Sequence, residues 1–267
     1  MAQPIDIKKP IRKYLPYFIE ARDSNLSEAD TVLRLTKVLE EILGYDPMRE
    51  ITREQAIKDR FVDLAIKIDG TVQFLIEVKS SNQKLRDKHI EQAQNYAAHG
   101  NIPWVLLTNG LDWVLYHLTF DEGIQYDKAF EVSITDNGTD FDKACEMIAI
   151  LHRKSVNAHG LDEFWERSHA LSPASVVKVL FSEEVIGIVR RELKKMLGVR
   201  LDEEEIALAI HKMFSVETRE LVGPARIRRK RKQRVVKEKG NGLETKEVEI
   251  LESAIDIPTE PVEVVEA

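Results

Sequence analysis

Residues Phe61–Lys79 read FVDLAIKIDGTVQFLIEVK, and this stretch decides the fold. Alternation with a period of two puts Phe61, Asp63, Ala65 and Lys67 on one strand face and Val62, Leu64, Ile66 and Ile68 on the other. Asp69–Gly70 follows, a pair that tolerates the positive φ demanded by a tight hairpin. A second strand then runs from about Val72 to Lys79. Its Phe74, Ile76 and Val78 alternate with Gln73, Leu75, Glu77 and Lys79.

Three charges on this hairpin need a reason: Asp63, Glu77 and Lys79. Glu77 and Lys79 share a face, so an acid on one strand meets an acid and a lysine on the next. Two carboxylates suit a hard cation such as Mg²⁺, which takes oxygen ligands and keeps several waters. Asp63 and Glu77 are the candidate ligands, with the Val78 carbonyl as a third oxygen. Lys79 can orient a water and offset charge developing on a phosphoryl group. Glu-x-Lys alone carries no such meaning, because the chain repeats it at Glu192–Lys194 and Glu244–Lys246. The hairpin around Glu77 sets that copy apart.

The flanks fit a layered α/β domain. Ser27, with Asp30 three residues on, predicts a capping box opening a helix over about Glu28–Leu43. At roughly 100° per residue, Glu28 falls on the stripe of Val32, Leu35, Leu39 and Ile42. Glu28 therefore has two readings: an acid facing the metal site, or a first-turn glutamate favoured by the helix dipole. A second helix is expected over about Arg86–His99, where Gln92 and Tyr96 stand four apart on one face. Trp104–Leu107 reads as a buried strand, Asn109–Gly110 as another hairpin turn, and Trp113–Leu118 as the returning strand. Phe130–Ile134 is a last strand. Thr108 and Asn109 are read chiefly as turn formers.

Taken together, Glu28 in SEADT, Leu43-Gly44-Tyr45, Val62-Asp63, Glu77-Val78-Lys79-Ser80, Gln92 through Ala97, and Leu107 through Gly110 with Trp113 and Tyr116 carry a resemblance. The segment from about Ser27 to Leu118 resembles the N-terminal nuclease domain of the restriction subunits of type I restriction enzymes, a branch of the PD-(D/E)xK superfamily. Val62 stands where the motif name has proline, a position with no chemical duty. The resemblance implies a restriction-endonuclease-like core, a central mixed sheet flanked by helices. It also implies Mg²⁺-dependent DNA cleavage, with Mn²⁺ a possible substitute. Asp63, Glu77 and Lys79 take the central roles, and an acid from the first helix, here Glu28, joins the metal. Gln92 and Tyr96 resemble an element that contacts substrate or braces the lysine; Gln94 is the alternative glutamine.

Composition sets outer bounds. The 267 residues leave room for this core and a further region, and a hydrophobic fraction of 43% suffices to build a core. A single cysteine, Cys145, excludes an internal disulfide framework and suits a reducing cytoplasm. No apolar run approaches the about 18 residues of a membrane span. The net charge of −7 hides an asymmetry. Arg226–Lys239 reads RIRRKRKQRVVKEK, in which Arg226, Arg228, Arg229, Lys230 and Arg231 are candidate phosphate contacts. The other reading of this run is a solvated linker drawn to the acidic residues after it. The expected organisation is an arm over 1–26, the nuclease core over 27–135, a helical region over 136–222, a basic segment over 223–240 and a mobile acidic tail over 241–267. Within that tail VEILESAI could form a short helix or strand.

No G-x-x-x-x-G-K-[ST] phosphate loop is present, so no ATP site is expected, and the resemblance stops at the nuclease domain. The leading expectation is a stand-alone, Mg²⁺-dependent DNA endonuclease of the restriction type. A site that cuts one strand at a time points to a homodimer, and a separate restriction or defence subunit is a further possible partner. The competing expectation is a non-catalytic nucleic-acid-binding or partner-binding module on the same fold.

Overall fold

The computed structural model describes residues 5–57, 60–120, 123–135, 139–239 and 242–256. The chain divides into two compact units, 1–167 and 168–267.

The first unit is built on a six-stranded sheet. Its elements are α1 (Lys8–Asp23), α2 (Glu28–Glu41), β1 (Ile51–Ile57), β2 (Arg60–Ile68), β3 (Thr71–Val78), α3 (Glu91–Gly100), β4 (Trp104–Thr108), β5 (Asp112–Thr119), β6 (Gln125–Ser133), α4 (Thr139–Ala149), α5 (Arg153–Asn157) and α6 (Gly160–Ala170). A 3₁₀ turn, Asp87–Ile90, leads into α3. The strands lie in sequence order. Every pair is antiparallel except β3 and β4, which run parallel. A parallel pair needs a crossover, and the chain through α3 supplies it.

The expected hairpin is present. Asp69 and Gly70 both have positive φ, at 50° and 82°. β2 pairs with β3 from Ile68 opposite Thr71 to Leu64 opposite Ile76, with one irregularity at Ile66 and Lys67. Phe74, Ile76, Val78, Leu64 and Ile66 bury into one apolar layer with α1, α2 and α4. Ala65, Leu75, Val105 and Leu107 bury into a second layer with Ala93, Tyr96 and Ala97 of α3. The sheet is thus covered on both sides, as parallel pairing usually requires. Val62 departs from the simple alternation and joins the second layer. The ladder to β3 ends at Leu64, so Val62 lies beyond it, opposite Gln55 of β1.

The capping box forms as expected. Asp30 N–H donates to Ser27 Oγ at 3.2 Å, and Ser27 N–H donates to Asp30 Oδ2 at 3.1 Å. Leu35, Val38 and Leu39 are the buried stripe of α2.

The organisation differs from the expected one in three places. The arm over 1–26 contains a helix whose Ile11, Phe18 and Ala21 are buried. Pro10 and Pro16 hide it from a periodicity reading. Pro10 lies in the first turn, where its missing N–H costs nothing, whereas Pro16 sits inside the helix. The core expected over 27–135 also extends past its boundary, because Phe141, Ala144, Cys145, Ile148, Leu151, Val156 and Leu161 complete its first apolar layer. Tyr45 locks that closure, donating its hydroxyl to the Leu151 carbonyl at 2.7 Å.

The third difference concerns the basic segment and tail. β7 (Arg226–Lys239) and β8 (Gly242–Asp256) form a two-stranded antiparallel ladder. Lys232 stands opposite Glu249, Arg234 opposite Glu247 and Lys237 opposite Glu244. The side chains of these residues lie outside the described ones. The basic run and the acidic residues after it are thus backbone-paired, and VEILESAI lies within β8. Residues 257–267 lie outside the described ones.

The rest of the second unit is helical: α7 (Pro173–Leu180), α8 (Glu183–Leu197), α9 (Glu203–Lys212) and α10 (Val216–Val222). Ser172 caps α7 with proline at its first position, and Gly198 closes α8 with φ of 71°. Phe181, Ile186, Ile206, Ala207, Ala225 and Ile227 form a separate core. His211 belongs to it, with one ring nitrogen 3.0 Å from the Gly223 carbonyl.

Candidate active site at the end of strand β3

The parallel strands β3 and β4 end side by side, and the charged residues gather there. Glu77 pairs with Leu107 across this junction, and Val78 pairs with Thr108. Lys79 N–H then donates to the Thr108 carbonyl at 2.8 Å, carrying the pairing one residue past the strand. The Asp63 carboxylate accepts the Val78 N–H at 2.7 Å. The lysine ammonium donates to Glu77 Oε1 at 2.6 Å and to Glu28 Oε2 at 3.4 Å. Three of the expected residues therefore meet through Lys79, and Asp63 is bonded to the strand that carries them.

Burial separates the two glutamates. The Glu77 side chain is 6% exposed and that of Glu28 is 45% exposed. Burial, reinforced by the negative field of Asp63, pushes the Glu77 carboxyl up to about 7, against the pull of Lys79. Burial also works against the charged lysine, but its bond to Glu77 and the fields of Glu77, Glu28 and Asp63 outweigh this and raise it. Glu77 is thus a buried carboxyl whose ionisation Lys79 only partly supports.

The loop after β3 is anchored from below. Ser81 Oγ donates to the Asn109 carbonyl at 2.9 Å, and Thr31 Oγ1 of α2 lies 3.4 Å from Ser81 Oγ. The Asn109 side chain donates to the Gln83 carbonyl at 3.0 Å and accepts the N–H groups of Leu111 and Asp112. Thr108 and Asn109 are buried and form the turn.

Other expected site residues are placed differently. Tyr96 is 2% exposed, packed in the second apolar layer against the sheet. Gln92 stands on α3, and its side chain lies outside the described ones. Arg226 is exposed at the start of β7. Arg228, Arg229, Lys230 and Arg231 follow on that strand, with side chains outside the described ones. His89 stands in the 3₁₀ turn before α3. Burial, then the positive field of Lys79, lowers its pKa, and its ring accepts the Arg86 N–H at 3.2 Å.

The donor chemistry at the strand end is hard oxygen: two carboxylates and the adjoining main-chain carbonyl. A buried carboxyl whose ionisation is opposed by a neighbouring carboxylate gains from an added cation. Among the described residues, no group of three or more His, Cys, Asp or Glu forms a ready-made metal cage. The fit therefore rests on Asp63 and Glu77.

Residues 35–129 match the family model of the type I restriction enzyme R protein N terminus (HSDR_N). That span covers β1 through most of β6 and contains Asp63, Glu77, Val78, Lys79, Gln92 and Tyr96; Glu28 precedes it. The match supports a restriction-type nuclease domain here, of the kind that interacts with DNA within multi-subunit systems. No curated protein and no solved structure matches the chain. No helix among the described residues is long and apolar enough to cross a membrane.

Proposed function

We propose that this protein is a Mg²⁺-dependent DNA endonuclease of the restriction or genome-defence type, hydrolysing phosphodiester bonds. The observation that carries the reading is Lys79 bonded to buried Glu77, beside Asp63, at the end of the parallel pair β3 and β4. The family match over the same strands supports it.

Asp63 and Glu77, with the Val78 carbonyl, would hold the ion, and Mn²⁺ could replace it; Glu28 would add a carboxylate from α2. The chemistry the ion supplies is that of a Lewis acid, polarising a phosphoryl oxygen and acidifying a coordinated water. The chain's own residues supply the remainder. Glu77 must release its proton to serve as a ligand, and Lys79 favours that release. The Lys79 ammonium, held by two carboxylates, can orient the attacking water and offset charge on the phosphoryl oxygens. Gln92 would contact the substrate, while Tyr96 holds α3 against the sheet. Arg226, Arg228, Arg229, Lys230 and Arg231 would add phosphate contacts. A single site cuts one strand, so double-strand cleavage calls for a homodimer. A further restriction or defence subunit would supply specificity or a motor. The cytoplasm is the compartment in which such an enzyme meets DNA.

Plasmid cleavage by the purified wild type and by Glu77→Ala, with Mg²⁺, Mn²⁺ or EDTA, tests the proposal. Metal-dependent nicking or linearisation, absent from the variant, is expected on modified or unmodified DNA. Equal cleavage by both proteins, or cleavage in EDTA, would remove these residues from the chemistry. Retention of DNA with no cleavage under any condition would favour a binding module.

A further inference from the structure

The second unit carries a basic groove that the nuclease reading does not use. It runs along α8 and the loop to α9, lined by Gly187, Arg190, Arg191, Lys194, Arg200 and Asp202. Arg190, Arg191 and Lys194 fall within about one helical turn and share one side of α8. Gly198 takes a left-handed conformation, ends the helix and turns the chain back, so that Arg200 faces the same groove. Arg190 is committed to Glu203 at 2.9 Å. Arg191, Lys194 and Arg200 are exposed and make no ion pair among the described residues. Gly187 opens the floor: a Cβ there would meet nothing within 4 Å.

We infer that this groove holds the phosphate backbone of duplex DNA. Charge complementarity decides the occupant. Three uncommitted cations are spread along a helix face and an opposing loop. A small anion needs donors converging on one point, whereas a polyphosphate chain presents charges in series. The groove gives no aromatic surface for stacking bases, so its contacts are sequence-independent and sensitive to salt. The choice of DNA rests on the endonuclease reading; the presence of a polyanion site does not.

The test is fluorescence anisotropy of a labelled DNA duplex with the full chain in EDTA, where cleavage cannot intervene. A triple variant, Arg191→Gln, Lys194→Gln and Arg200→Gln, is expected to bind at least about tenfold more weakly, with a salt slope smaller by about three. A control removing three exposed charges from the first unit, Lys9→Gln, Lys143→Gln and Lys154→Gln, is expected to lose less than about twofold. Gly187→Glu places a carboxylate in open space and should weaken binding comparably, while Gly187→Ala should not. Equal losses in the groove and control variants overturn the inference, as does unchanged binding in the triple variant or by Gly187→Glu. Competition by polyglutamate as effective as that by duplex DNA overturns the assignment of the occupant. Cleavage reports separately on the catalytic reading: a Glu77→Ala protein that binds normally without cutting leaves the groove standing.

Discussion

Asp63 accepts the main-chain N–H of Val78 at 2.7 Å, so the acid of one strand is fixed to the residue between Glu77 and Lys79. One carboxylate oxygen serves the fold, and in the proposed mechanism the charge serves the site. The two duties can be separated, because an amide oxygen can accept the same N–H.

Asp63→Asn is therefore expected to keep the fold and lose the chemistry. Its thermal midpoint should remain close to that of the wild type. DNA cleavage should fall by at least about 100-fold, the usual scale for removing a charge that acts on the transition state. Removing the Asp63 charge should also let the Glu77 carboxyl ionise at lower pH. Cleavage close to that of the wild type would exclude Asp63 from the active site.

Gly110 predicts a structural failure at a distance from the chemistry. Its φ is 85°, and a Cβ built there would overlap the ring of buried Phe18 on α1. Gly110→Ala combines left-handed strain with a steric clash, so it should cost more than about 2 kcal/mol of stability. Chemical denaturation checks this, and a loss below about 0.5 kcal/mol would show that α1 moves aside easily.

The hairpin, the capping box and the meeting of Glu77 with Lys79 are legible in the sequence because each depends on residues close along the chain. Asp69–Gly70 sets its own turn, and a period of two aligns Glu77 with Lys79. The two-layer core is only half legible: the alternation of β3 shows two apolar faces, but nothing local says that α4 and α5 return to cover one of them. The closure depends on Tyr45 reaching Leu151, a contact between residues far apart in sequence. β1 escapes a pattern reading because its sequence, ITREQAI, lacks the alternation of a half-buried strand. Tyr96 shows the limit of spacing arguments. Helical periodicity puts it on the side of Gln92, but spacing alone does not show that its ring is buried in the second layer.

The ion pair of Glu50 with Arg153 predicts how the first unit responds to acid. Arg153 Nε donates to both Glu50 oxygens, at 2.7 and 2.9 Å, tying the chain before β1 to α5. The guanidinium, outweighing the cost of burial, holds the Glu50 carboxyl below its ordinary 4.5. A depressed folded-state value gives stability that is present above about 4.5 and lost as pH falls through the lower value. The thermal midpoint of the wild type should therefore drop more steeply below about pH 4.5 than that of Glu50→Gln, while the variant is the less stable protein at neutral pH. Parallel acid profiles would show that the pair adds nothing in solution.

Glu77 predicts the opposite slope. Its folded value of about 7 lies above the ordinary 4.5, so the folded protein keeps a proton that the unfolded chain releases. Without metal, this group's contribution to stability is fully present below about pH 4.5 and declines as pH rises toward about 7. A cation binds the ionised form and competes with that proton, so Mg²⁺ affinity should rise with pH and level off above about 7. Thermal melts from about pH 5 to about pH 8, with and without Mg²⁺, give both trends. In the wild type, stabilisation by Mg²⁺ should grow across this range; in Glu77→Gln, which has no proton to release, it should be weak and flat. Stabilisation independent of pH in the wild type would mean that the ion binds without Glu77 and that the carboxyl serves only to hold Lys79.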